Sequence, residues 1–353
     1  MTLRTGLLLL PSRPAAELSD LAARAEALGY DDFWLADERF FREVYALLAL
    51  AAARTTRIRL GPCVTDPFSR HPALTAMAIA TLDDISGGRA VLGIGAGVSG
   101  FQELGVSPER SAVAIREAVE LIRGLLAGQN VTVKGQRVSF NGGRLDFAPR
   151  RADLPIYVAS QREAGCRVAG RVADGAIMQG CVAEPLLRFF RTSVAEGAQR
   201  AGRDPARVEL VARINVCVSD DGHAARNAMR PTVVRSLVAQ RPDFFTFRTA
   251  GLELPESLRT HVLGLPYTHD VAPLVKVAPL VPDTFVDAVT LAGSADHVAQ
   301  GVARLARSGI GQLLVYPVAS EGSIVDTIER FQTAVMPAVR KELERSESCR
   351  SAT

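Results

Sequence analysis

Residues 60–100 read LGPCVTDPFSRHPALTAMAIATLDDISGGRAVLGIGAGVSG. Residues 58–64 form an apolar strand that runs into an unusual loop. Residues 73–85 carry little charge and have the length of a helix, and residues 90–94 form a second apolar strand that enters a glycine-rich turn. Both strands release loops suited to close backbone approach, the walls expected around a flat ligand. A strand, a helix and a second strand, both strands apolar throughout, make a unit of parallel sheet.

The same alternation continues in both directions. Upstream, residues 5–10 form a strand. Residues 17–28 form a helix with Leu18, Leu21, Ala25 and Leu28 on one face, and Gly29 stops it. Residues 33–36 form a second strand, and residues 45–53 an almost uncharged helix. Downstream, Ser111 is expected to cap a helix over 112–127 that Gly128 ends. Residues 131–140 (VTVKGQRVSF) alternate about a Gly-Gln turn as a hairpin does. Strands then recur at 155–159, 175–178, 208–218 and 312–317, with helices at 162–172, 185–201, 223–239, 294–308 and 324–343. Residues 241–287 are rich in proline and weakly periodic, which predicts a partly helical insertion. Eight βα units predict an α/β fold, a (β/α)8 TIM barrel with insertions at about 129–153 and 240–290, after strands 4 and 7. A doubly wound open sheet is the alternative. No linker divides the chain, so residues 1–344 are expected to form one domain, followed by a polar, disordered tail at 345–353.

The 353 residues are 48% hydrophobic and 22% charged, with a net charge of +3. That balance suits a globular core and gives no basic patch for nucleic acid. No apolar run is long enough to span a bilayer and no cleavable leader stands out, so a cytoplasmic protein is expected. Cys63, Cys166, Cys181, Cys217 and Cys349 are scattered, without the spacing of a zinc site or a disulfide framework. Lysine occurs only at Lys134, Lys276 and Lys341. The preference for arginine and alanine fits a GC-rich, actinobacterial type of genome.

In a parallel barrel the chemistry sits in loops at the C-terminal ends of strands. Asp37 and Glu38 form a carboxylate pair after the second strand. They could bond a polar ring edge or move a proton, or they could serve as a helix cap or pair with Arg39 or Arg42 at the surface. GAGVSG at 95–100 has the GxGxxG spacing, yet it follows the fourth strand and no helix opens directly behind it, unlike a Rossmann turn. A turn that lets a ring or phosphate approach remains open beside a plain tight turn. His71, just before a helix, is expected to be structural. His261 and His269 lack helix-face metal spacing, and no metal site is expected. No GxSxG elbow occurs. Cys63 lines the site without a feature that would mark it as a nucleophile. With so few reactive side chains, a cofactor is expected to carry the reaction.

DERFFREVY (37–45), GPCVTDP (61–67), RHP (70–72), ATLD (80–83), SGGR (86–89), LGIGAG (92–97), REAVELIR (116–123), LPIYVA (154–159) and AGRVADG (169–175) resemble the bacterial luciferase-like superfamily of flavin- and deazaflavin-dependent oxidoreductases. Within it the chain resembles the methylenetetrahydromethanopterin reductase branch, whose members use coenzyme F420. The resemblance covers roughly residues 1–340 and implies the same barrel. It implies a non-prolyl cis peptide at Cys63–Val64 facing the cofactor ring, with Thr65 beside it, and a ring-contacting acid at Asp37. Gly95, Ala96, Gly97 and Val98 correspond to the loop along the ring and ribityl chain. Ala159, Ser160, Gln161, Gly180 and Cys181 correspond to positions that hold the tail and its phosphate.

The chain also departs from its relatives. Ser160-Gln161-Arg162-Glu163 replaces a Gly-x-Gly-Pro phosphate turn, so Arg162 becomes a candidate phosphate ligand. Glu38 stands where several F420 enzymes have histidine, and Val98 where the superfamily's sugar-phosphate dehydrogenases have an acid, which argues against that activity. The resemblance thus implies a reductase that passes a hydride from C5 of reduced F420 to an electron-poor C=N or C=C bond of a small organic substrate, with Glu38 or water as proton donor. An FMN-dependent monooxygenase and a non-catalytic binding or assembly subunit are the alternatives. The uncharged helices and the resemblance together imply a homodimer.

Overall fold

The structure, a computed structural model, describes residues 3–351. Parallel strands alternate with helices along the chain, as in an α/β TIM barrel. Two compact units divide it. One comprises residues 6–177 and 191–210; the other comprises, among the described residues, 3–5, 178–190 and 211–351.

In the first unit β1 (Arg4–Leu9) pairs in parallel with β2 (Asp32–Leu35), and β2 with β3 (Arg59–Pro62). β3 continues to β4 (Leu92–Gly95) through parallel bridges at Leu60–Ala90 and Thr65–Ile94. The hairpin expected at 131–140 is present as antiparallel β5 (Val131–Lys134) and β6 (Ser139–Gly143). β4 then pairs with β7 (Ile156–Ala159), and β7 with β8 (Gly175–Gln179). Phe33, Trp34 and Leu35 are fully buried, as strands covered on both faces require. The intervening helices are α1 (Ala15–Leu28), α2 (Val44–Ala53), α3 (Pro72–Ile85), α4 (Ser111–Leu126) and α5 (Glu163–Val172). Helix α6 (Glu184–Arg200) crosses the division between the units.

The second unit is centred on β9 (Glu209–Val218), flanked in parallel by β10 (Thr290–Gly293) and β11 (Gln312–Pro317). The chain between β9 and β10 forms α7 (Gly222–Ala239), α8 (Phe245–Thr249), α9 (Glu256–Gly264), α10 (Ala272–Val277) and α11 (Asp283–Val289). After β10 come α12 (Ala295–Arg307), α13 (Ile324–Arg330) and α14 (Met336–Ser351). The insertion is therefore partly helical, as its proline content implied.

Gly29 ends α1 in the left-handed conformation, and the Ser294 side chain caps α12 by accepting from the His297 amide at 3.3 Å. Three details differ from the sequence reading. Arg110, in the left-handed region, holds the cap position of α4, so Ser111 already lies in the first turn. Strand β10 was missed because its four residues end on glycine, and only the register against β9 marks it. Residues 345–351, expected to be disordered, continue α14, since no glycine or proline interrupts them.

Candidate active site

Asp37 and Glu38 follow β2, and Cys63 to Thr65 follow β3; Gly95 ends β4 with Ala96 to Val98 behind it, and Ala159 ends β7 with Ser160 to Arg162 behind it. These four strands are successive parallel neighbours within one unit, so their C-terminal loops gather at one end of the sheet. The Cys63–Val64 peptide is cis, as the resemblance implied. Thr65 extends the ladder past it: its amide donates to the Gly93 carbonyl at 3.0 Å, and its carbonyl accepts from the Gly95 amide at 2.9 Å. A Cβ on Gly95 would lie 2.8 Å from Val64 Cγ2 and 3.2 Å from the Ala159 carbonyl oxygen, so bare backbone is required where the three loops meet.

Arg39 ties these loops together. Its Nη1 donates to Asp66 Oδ2 at 2.6 Å, its Nε donates to the Ser99 carbonyl, and its guanidinium lies 4.2 Å from the Phe101 ring centre. Asp66, almost fully buried, also accepts from the amides of Phe68 and Ser69 and from the Ser69 hydroxyl at 2.8, 2.7 and 2.6 Å. Gly97 and Gly100 have φ of 68° and 72°, and a Cβ on either would run into the Arg39 side chain. Two of the GAGVSG glycines are thus required by the passage of an arginine over the turn, which the sequence reading did not anticipate. Arg39 and Asp66 are 27 residues apart, and nothing local links them.

The two carboxylates of the pair have different surroundings. Glu38 accepts a hydrogen bond from the Ser99 hydroxyl and so faces the glycine turn. Asp37 is largely enclosed, and burial pushes its carboxyl above the usual aspartate range, against opposing effects of the Thr65 hydroxyl and Arg70. The cap of α2 is Glu43, which accepts from the Ala46 amide at 2.7 Å. Arg42 donates to the Ser12 carbonyl at 3.2 Å. The helix cap considered for Asp37 and Glu38 thus falls to Glu43.

At the end of β7 the Ser160 hydroxyl accepts from the Arg162 amide at 3.0 Å, and Arg162 is exposed at the start of α5. Cys166 Sγ reaches the Ser160 carbonyl at 3.6 Å, and burial raises its thiol to about 12, which keeps it unreactive. Gly180 and Cys181 belong to the other unit. There the Gly180 amide donates to the Arg213 carbonyl at 2.9 Å, and Cys181 is buried with Sγ 3.6 Å from the Met178 carbonyl. His71 is structural: Nδ1 accepts from the Ala73 amide at 3.2 Å and Nε2 lies 3.0 Å from the Ser139 carbonyl, which fixes the tautomer. No group of metal-ligating side chains occurs among the described residues, and no described helix is long and apolar enough to cross a membrane.

Comparison with known proteins bears on the family and the fold. The 5,10-methylenetetrahydromethanopterin reductase of Methanolobus tindarius is 32% identical over 310 residues, which is 88% of this chain and 92% of the relative. A phthiodiolone/phenolphthiodiolone dimycocerosates ketoreductase of Mycobacterium bovis is 30% identical, over 82% of this chain and 76% of its own length. Among solved structures, the coenzyme F420-dependent tetrahydromethanopterin reductase of Methanopyrus kandleri superposes with a TM-score of 0.84 at 26% identity, over 96% of this chain and 99% of its own. Residues 2–312 match the family described as luciferase-like monooxygenase, and the chain belongs to that family.

Proposed function

We propose that this protein is an F420-dependent oxidoreductase that works as a reductase, on an electron-poor C=N or C=C bond of a small organic substrate. The observation that carries the reading is the enclosed Asp37 carboxyl beside the Cys63–Val64 segment, where the loops of β2, β3 and β4 converge. Likeness to an F420-dependent reductase at 26% identity supports the cofactor. The side chains fit a deazaflavin. Cys63 and Val64 offer a largely apolar wall, Gly95 leaves backbone bare beside it, and Asp37 is a polar group able to meet a ring carbonyl or nitrogen.

Bound in its reduced form, the cofactor would supply a hydride from C5. The chain's own residues then do the rest. Gly95 to Val98 border the ring and its ribityl chain, and Ala159 to Gln161 take the tail, with Arg162 as the cation for its phosphate. Asp37 holds at its Oδ the proton that balances the hydride, released to the substrate atom that gains the electron pair. Glu38, bonded to Ser99, positions the glycine turn and is a weaker candidate for the proton than the sequence suggested.

Anaerobic oxidation of F420H2, followed by absorbance with a panel of activated imines and enones, tests this. Acceptor-dependent oxidation is expected, slowed about 10²- to 10⁴-fold in Asp37→Asn and only a few-fold in Glu38→Gln. Turnover with reduced FMN and oxygen, but none with F420H2, would overturn it.

The reading includes a homodimer. Leu50 on α2 and Leu74, Met77 and Ile85 on α3 are 40–51% exposed on adjoining helices with few charges. Such a face fits a second copy of the chain.

A further inference from the structure

Asp37 is enclosed by groups from three other segments. Thr65, fully buried, comes from the end of β3. Tyr45 comes from the first turn of α2, and Arg70 from the loop before α3. Arg70 lies 5.0 Å from the Tyr45 ring centre and donates to Glu43 at 2.8 Å. The hydroxyls of Tyr45 and Thr65 are both shut off from solvent, and neither makes a hydrogen bond with conventional geometry. Burying a hydroxyl without a hydrogen-bond partner is destabilising. Two of them around one enclosed carboxyl therefore mark a function for that carboxyl that packing alone does not explain.

We propose that Thr65 and Tyr45 are positioning residues for Asp37, the Thr65 hydroxyl beside its carboxyl and the Tyr45 hydroxyl beside Thr65, so that it enters the reaction as a carboxylic acid. This deepens the reductase reading, in which Asp37 carries the proton. A hydroxyl donates to an ionised carboxylate and accepts from a protonated one, so the pair can follow the carboxyl through both states by rotating. Their hydrogens need only turn about the C–O bonds, and no side chain has to move. The charges facing Asp37 are those of Arg70, Glu43 and Asp66. Arg70 is shared with Glu43, and Asp66 is committed to Arg39, so neither neutralises Asp37 outright. Thr65 opposes the rise caused by burial, and Tyr45 is placed to orient Thr65.

Infrared titration of the protein without cofactor reads this directly, through the carbonyl stretch of a protonated carboxyl. Wild type is expected to show a band, absent from Asp37→Asn, that persists to higher pH than the bulk of the carboxyls. Thr65→Val removes a donor to the ionised form, so its midpoint should rise by about 0.5–1 pH unit. Thr65→Ser should restore it, and Tyr45→Phe should move it the same way by less. An identical midpoint in Thr65→Val and Tyr45→Phe, or no band that depends on Asp37, would overturn the proposal. Because Tyr45→Phe leaves the loop after β3 untouched, the test survives if Thr65→Val fails to fold. The titration requires no F420, so failure of cofactor binding would sink the reductase reading without bearing on this one.

Discussion

Burial raises the Asp37 carboxyl above the ordinary aspartate range, and that makes stability depend on pH in one direction. Below the unfolded aspartate value of about 3.9 both states are protonated, and nothing is lost. As pH rises from there through the raised folded value, the unfolded chain releases its proton first and folding weakens. Asp37→Asn should therefore raise Tm at neutral pH, by on the order of a degree, with the gain disappearing in acid. A calorimetric pH series would show it. Arg39 acts in the opposite sense. Removing it strands Asp66, which is nearly inaccessible to water, and a broken buried pair costs about 3–5 kcal/mol. Asp66 keeps three other donors, so Arg39→Met should lie near the lower end in urea denaturation.

Among the elements, the turn after β4 depends most on its neighbours. Gly100→Ala would place a methyl 2.7 Å from Arg39 Cβ at a φ of 72°. A loss of about 1–2 kcal/mol in stability is expected, with weaker cofactor binding as the turn shifts. The strands and helices of this region were legible because they are local. Apolar runs and Gly29 as a stop each act within a few residues. The Cys63–Val64 cis bond was legible only through the family motif GPCVTDP. What escaped the sequence acts at long range: Arg39 to Asp66, Tyr45 to Thr65, and β10, which exists through its register with β9. Glu38 and Asp37 looked equivalent as neighbours in sequence. Their long-range partners separate them, Thr65 and Arg70 for Asp37 and Ser99 for Glu38.

For the whole molecule the barrel follows from the alternation of strand and helix, and it brings the loops after β2, β3, β4 and β7, whose strands end at Leu35, Pro62, Gly95 and Ala159, to one end of the sheet. The uncharged faces of α2 and α3 explain the proposed dimer. Leu74→Glu with Met77→Glu should convert a dimer into a monomer in sedimentation velocity, with the secondary structure retained. A wild-type monomer at micromolar concentration would refute that assembly. Whether the chain is an F420 enzyme is decided most directly by titrating the apoprotein with F420, FMN and NADPH in turn, following cofactor fluorescence. Saturable binding of F420 at micromolar or lower concentration, with little FMN or NADPH bound and with affinity reduced in Gly100→Ala, is the expected result. Tight FMN binding without F420 binding, or binding of none of the three, would contradict it.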